Sequence, residues 1–279
     1  SDLVAAARAG LDVVGVERDP LRGAMARANL AALGLSGEVV VGDVEAADLD
    51  GFDVVFADPA RRDARGRVSD PSAYSPPWSF VQSLLARRTC CVKVAPTIPH
   101  RMVPAGVEAE WVSEYGEVKE AALWSGTFAT ASRRATVLPG GDSLAGSATG
   151  RAEVGPVGAY LYEPEGAVIR AGLVGDLAAG IDARLLDRRI AYLSADRRVP
   201  TPFARCYAVE ERLPFREKQL RAALRARDVG TLTVKKRGVD VTPEVLRRRL
   251  DLRGSRPATV VLTRAGGAAV ALLVTPLPT

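Results

Sequence analysis

Apolar and polar positions along the chain follow two periods in turn, and the changes of period mark out its elements. Residues 1–9 read as the body of a helix, with Leu3, Val4 and Ala7 on one face and Gly10 as its stop. Residues 13–16 are a short apolar run, predicting a strand that ends in Glu17, Arg18 and Asp19. Asp19 is placed to cap a helix and Pro20 suits its first position, where a backbone N–H has no partner to lose. Leu21, Ala24, Met25, Ala28 and Ala32 then recur at helical spacing as far as Gly34. Residues 39–41 predict the next strand, ending at Gly42 and Asp43. In FDVVFADPARR, residues 52–62, the run 54–57 reads as a central strand buried on both faces. It stops at Asp58, and Pro59 turns the chain out of the ladder.

The loop after Asp58 is rich in arginine and proline, and a helix is predicted over 79–88, followed by a strand over 89–94. Residues 107–112 and 119–124 read as two strands around a turn at 114–117, and 135–138 as a further strand. Strands alternating with helices argue for a doubly wound parallel sheet, which the strand pair extends as an antiparallel edge. The Gly/Ser-rich stretch 139–150 separates this from a mixed region. There, 160–162 and 168–169 flank a turn, and helices are predicted over 171–179 and, preceded by Pro214, up to near Asp228. Residues 231–236 alternate as a half-exposed strand, Thr242 and Pro243 open a helix carrying Arg247, Arg248 and Arg249, and 259–263 with 268–274 form a hairpin. The expected organisation is α/β: a sheet domain over 1–138, a linker over 139–150 and a smaller α+β domain over 151–279.

Composition narrows the chemistry. Three cysteines, two of them adjacent at 90 and 91, argue against a disulfide framework and read as core thiols, and a single histidine, His100, leaves too few ligands for a His/Cys zinc site. No metal is expected. No run approaches the roughly 18 to 20 apolar residues of a membrane span, and a basic signal-peptide start is missing, so the expected location is the cytoplasm. The net charge of +5 is unevenly spread: residues 1–135 hold 15 Lys/Arg against 18 Asp/Glu, whereas 197–264 hold 18 against 7. A polyanion such as RNA is therefore expected to meet the C-terminal third. Lys235, Lys236 and Arg237 at a strand end, with Arg247–Arg249 on the next helix, form a phosphate-binding patch if those ends converge, and a solvated helix face if they do not. GDSL at 141–144 has a serine-hydrolase look but no downstream histidine to act as base, and is set aside.

Glu17, Asp43 and Asp58 stand at the carboxyl ends of three successive predicted strands. Ligands bind outside that edge in open α/β sheets, and an acid at such a tip accepts from ribose hydroxyls. GVERDP, GDVEAADL and FADPARR, at this spacing, resemble the second to fourth motifs of class I S-adenosylmethionine-dependent methyltransferases. YLYEPEGAVIRAGLV, TPFARCY and TVKKRG look like the THUMP-like domain of bacterial methyltransferases of this kind. The resemblance spans nearly the whole chain and implies a Rossmann-like methyltransferase sheet followed by a THUMP-like RNA-binding domain.

By that resemblance the cofactor is S-adenosyl-L-methionine, with Glu17 and Arg18 at its ribose and Asp43 and Val44 near its adenine. Asp58 and Pro59 face the methyl acceptor, and Arg61 and Arg62 position phosphates. The implied substrate is RNA, of the tRNA or rRNA class, methylated on an exocyclic amine of a base. Two departures stand out. The chain opens at Ser1, just past the place of the family's glycine-rich first motif, and reads as an N-terminally incomplete version of the pattern. DPAR also replaces the aromatic-bearing motif of amino-methylating relatives; either Tyr74 or Trp78 supplies the aromatic face, or both pack the Pro-rich loop against the sheet. The rival expectation is a non-catalytic RNA-binding protein with a degenerate methyltransferase domain.

Overall fold

The computed structural model describes residues 2–60, 62–63, 66–67 and 75–278. They form two compact units, residues 1–92 and 93–279. The first opens with α1 (Asp2–Arg8), β1 (Val14–Glu17), α2 (Pro20–Ala32) and β2 (Glu38–Val41). Asp19 caps α2 as its sequence suggests: the side chain accepts from the Leu21 and Arg22 amides, and Pro20 occupies the first turn. β1 and β2 pair in parallel, Glu17 opposite Val41. The helix does not turn its Leu21–Met25 stripe inward; Leu21 is 70% and Met25 57% exposed, while Gly23 and Leu30 are buried. The reason is close approach. A Cβ on Gly23 would stand 2.8 Å from Val41 Cγ2, so only the glycine face lets the helix settle on β2, where Arg27 also donates to the Val39 carbonyl.

β3 (Val55–Ala57), β4 (Arg62–Asp63), β5 (Gly66–Arg67), α3 (Trp78–Arg87) and β6 (Cys90–Val94) complete this part of the chain. β3 runs parallel to β6, with Val55 opposite Cys90, and ends its sheet as an edge strand. The expectation of a central strand buried on both faces is corrected accordingly, since Val54 and Phe56 are 44% and 46% exposed. Burial on both faces belongs to strands with neighbours and covering helices on each side. β4 and β5 pair antiparallel as a two-stranded sheet.

The second unit begins with β7 (Glu108–Glu114), β8 (Glu117–Trp124), β9 (Arg133–Leu138) and β10 (Asp142–Gly146). β7 and β8 are the expected antiparallel pair, turning through Tyr115 and Gly116, both at positive φ. β9 lies parallel to β7, and β10 folds back antiparallel on β9. The stretch expected to be a linker thus contains a strand.

β11 (Tyr160–Pro164) is followed by α4 (Gly166–Ala171) and α5 (Val174–Gly180). Residues 168–169 are helical and not a strand, because α4 buries Ala167, Val168 and Ala171 as it packs on β7 and β9. Gly172, at φ +78°, ends α4 and separates it from α5. Then come β12 (Arg184–Asp187), β13 (Ile190–Ala195), β14 (Ala204–Pro214), α6 (Glu217–Ala226), β15 (Val229–Lys236), α7 (Pro243–Leu250), β16 (Arg256–Ala265) and β17 (Ala268–Pro276). The last two are the predicted hairpin, turning through Gly266 and Gly267 at positive φ.

These strands form a seven-stranded sheet in the order β12-β13-β11-β14-β17-β16-β15. The sheet curls until its ends meet: the Gly266 amide donates to the Leu186 carbonyl at 3.0 Å, and Arg237 Nη1 to the Ala191 carbonyl at 3.0 Å. Alternation then gives it two cores. Leu161, Tyr192, Tyr207, Val261 and Leu272 fill the concave side, while Leu232, Val260, Leu262 and Leu273 pack outward against Leu220 and Leu224 of α6 and Leu246 and Leu250 of α7. Cys90, Cys91 and Cys206 are buried, as expected of core thiols. Among the described residues no helix is long and apolar enough to cross a membrane, and no cluster of three or more His, Cys, Asp or Glu could hold a metal.

Candidate functional site

The carboxyl ends of β1, β2 and β3 carry Glu17, Asp43 and Asp58, as their positions in the sequence indicate. Glu17 is half-buried, and its Oε1 accepts from the Asp19 amide at 2.9 Å. The Gly42 amide donates to the Glu17 carbonyl at 3.0 Å, which ties the chain leaving β2 to the tip of β1 and sets Asp43 beside it. Asp43 is exposed and caps a single 3-10 turn, Val44–Ala46, its Oδ1 accepting from the Glu45 amide at 3.0 Å. Each carboxylate therefore spends one oxygen on its own turn. The second oxygen has no protein donor among the described residues, and a Cβ on Gly42 would meet nothing within 4 Å. Two neighbouring tips with spare acceptors and open space suit a group bearing hydroxyls and an amine, which is the chemistry of a nucleoside. Arg18 is exposed at the β1 tip and Val44 half-buried.

Asp58 is exposed at the end of β3, and Pro59 beneath it is buried. Ala60 and Ser75 exchange backbone hydrogen bonds at 2.8 and 3.3 Å. Arg61 and Tyr74 lie outside the described residues, as does the side chain of Arg62. Trp78 opens α3 and is only 9% exposed. A ring so enclosed has little face to lend to a base.

In the second unit the trio Lys235, Lys236 and Arg237 does not act as one patch. Successive strand residues point to opposite faces, so Lys235 and Arg237 turn to the concave side and Lys236 to the helix side, where it is exposed. Lys235 Nζ lies 2.6 Å from Glu163 Oε2 and over the Tyr207 ring; Arg237 lies over the Tyr192 ring. Tyr207 donates to the same Glu163 oxygen at 3.0 Å. Burial by itself raises the pKa of Glu163, but Lys235, Tyr207 and the nearby charge of Arg237 outweigh it and hold the carboxyl below its ordinary value. Burial first, and then the charge on Glu163, push the Tyr192 and Tyr207 phenols above theirs. Arg247–Arg249 are exposed on α7, on the same side of the sheet as Lys236.

Glu163 escaped the sequence reading, although the strand period gives it away: two residues after inward Leu161, it is an acid in a core position. Its partner is 72 residues distant, and no local pattern joins them.

A family model described as THUMP domain-like matches residues 204–276. Two proteins of Mycobacterium tuberculosis, from strains CDC 1551 and H37Rv, are each 40% identical to the chain over 272 residues, covering 95% of it and 75% of their own length. Each bears the name of an uncharacterized S-adenosylmethionine-dependent methyltransferase. Among solved structures, a protein of Porphyromonas gingivalis W83 named "putative methyltransferase" shares the fold, with a TM-score of 0.73 and 22% identity over 95% of this chain and 71% of its own.

Proposed function

The chain belongs to the S-adenosylmethionine-dependent methyltransferases, and we propose that it transfers the methyl group to RNA, onto an exocyclic amine of a base. The observation that carries this is the placement of Glu17, Asp43 and Asp58 at the ends of parallel strands, the first two with acceptor capacity left over. Glu17 holds the ribose hydroxyls of the cofactor, beside Arg18. Asp43 and Val44 receive its adenine end. When bound, S-adenosylmethionine supplies a methyl group on a positively charged sulfur, a ready leaving group, so the protein's part is mainly alignment.

Asp58 faces the acceptor. Its carboxylate accepts an N–H of the target amine, which turns the nitrogen lone pair toward the methyl carbon, and it takes the proton that nitrogen sheds on being alkylated. Buried Pro59 holds the backbone under Asp58 and keeps its reach constant. Arg61 and Arg62 position phosphates of the RNA. The THUMP domain-like match and the +11 balance of residues 197–264, 18 basic less 7 acidic, support RNA as the partner, of the tRNA or rRNA class. The cytoplasm is the corresponding place of action.

The test is methyl transfer from labelled S-adenosylmethionine to total RNA, with wild type and Asp58→Ala compared. Asp58→Ala should lose about 10²-fold or more in turnover and keep its RNA affinity. Equal turnover by the two would remove Asp58 from the reaction. Label in protein and none in RNA would remove RNA as the acceptor.

A further inference from the structure

Where β11 and β15 end and β14 begins, on the concave side of the seven-stranded sheet, a cavity of about 190 Å³ opens. Gly116, Glu163, Glu165, Arg205, Lys235 and Arg237 line it. Glu163 and Arg205 face each other across β11 and β14, and so share the concave face. Three cations meet two carboxylates here, and the pairing is incomplete. Lys235 is committed to Glu163. Among the described residues no carboxylate oxygen lies within 4 Å of the Arg205 or Arg237 guanidinium groups, and one Arg237 nitrogen is held by the Ala191 carbonyl. Gly116 makes room for Arg205: a Cβ there would stand 2.7 Å from Arg205 Nη2, and φ is +84°.

The remaining acid has the opposite need. Glu165 precedes α4 but its side chain makes no capping bond, and among the described residues neither of its carboxylate oxygens accepts from a protein donor. The carboxylate therefore keeps acceptor capacity that a ligand in the cavity can use. A ligand that satisfies the site must bring negative charge for two guanidinium groups and an O–H or N–H for a carboxylate. A sugar-phosphate has both, separated by a few bonds. Arginine forks match phosphate oxygens in geometry as well as charge. A cavity of about 190 Å³ has room for about one such unit, which suits a single strand or a free nucleotide.

We propose that this cavity binds one ribose-phosphate unit of a single-stranded ribonucleotide, its phosphate on Arg205 and Arg237 and a ribose hydroxyl donating to Glu165. The proposal rests on the RNA reading given above and adds to it a site that tells RNA from DNA, because only the ribose 2′-hydroxyl offers Glu165 that donor along a chain.

Fluorescence anisotropy of a labelled five-nucleotide RNA and of DNA of the same sequence tests it, with cytidine monophosphate as competitor. The full chain should prefer RNA about tenfold. Glu165→Ala, at a position whose side chain does not cap the helix, should bring RNA down to the DNA level. Arg205→Ala should weaken both about tenfold and lower the log-log salt slope by about 0.7. Competition by the mononucleotide at concentrations comparable to those of the strand would identify a free nucleotide as the occupant; competition only in large excess would identify the strand. RNA binding that neither variant changes overturns the cavity and leaves RNA as the substrate. Nucleotide bound without RNA upholds the cavity and removes the RNA reading, and a wild type that binds neither overturns both.

Discussion

Glu108 is the residue on which stability can be predicted most directly. Its side chain is 2% exposed and gathers four donors: the Thr130 and Ala131 amides at 2.7 and 2.8 Å, Thr130 Oγ1 at 3.3 Å and Arg134 Nε at 2.5 Å. The loop before β9 is thus pinned to the start of β7. Glu108→Gln keeps the shape but puts an NH₂ where one set of donors already points. Breaking a buried pair from one side costs about 3 to 5 kcal/mol, and hydrogen bonds to a charged group contribute about 1.5 to 3. Arg134 remains 25% exposed, so water relieves part of its stranded charge and the expected loss is about 3 kcal/mol. With a urea slope of about 2 kcal/mol per molar, the midpoint should fall by about 1.5 M. Tryptophan fluorescence reads the transition, since Trp111 is buried in β7 and Trp124 bonds Glu110 of that strand.

Wild type and Glu108→Gln should also differ in their response to pH. Burial raises the Glu108 pKa, but Arg134 and the Ala131 and Thr130 amides outweigh it, and the carboxyl sits below its ordinary 4.5. Its contribution is therefore whole above about pH 4.5 and lost as pH falls through the lower folded-state value. The gap between the two proteins should be constant near neutrality and close below about pH 4.5. A gap under about 1 kcal/mol at neutral pH, or one that ignores pH, would refute the reasoning.

Other consequences follow from faces and close approaches. Lys236→Ala with Arg248→Ala should lower the salt slope of RNA binding by about 0.7 for each phosphate left without its cation, whereas Lys235→Met should leave the slope and cost stability, because Lys235 is bound to Glu163. Gly230→Ala should destabilise by about 3 kcal/mol in urea unfolding, since its Cβ would stand 1.8 Å from the Gly254 carbonyl oxygen and backbone cannot step aside. An unchanged midpoint would mean that the crossing of those two segments relaxes freely.

Local chemistry made much of this protein legible. Asp19 and Pro20 announce the start of α2, Gly266 and Gly267 the last hairpin, and the acids after β1, β2 and β3 the edge proposed to hold a nucleoside, because caps, turns and strand ends are decided by neighbours in the chain. Tertiary packing decided the rest. Whether Leu21 or Gly23 faces the sheet depended on how near Val41 could come, and whether residues 168–169 became helix depended on β7 and β9 waiting to bury them. Lys235, Lys236 and Arg237 read as one basic run, yet the pleat divides them and a carboxylate 72 residues away claims the first. Charge is a property of the sequence, whereas the availability of a charge depends on which partners folding brings within reach.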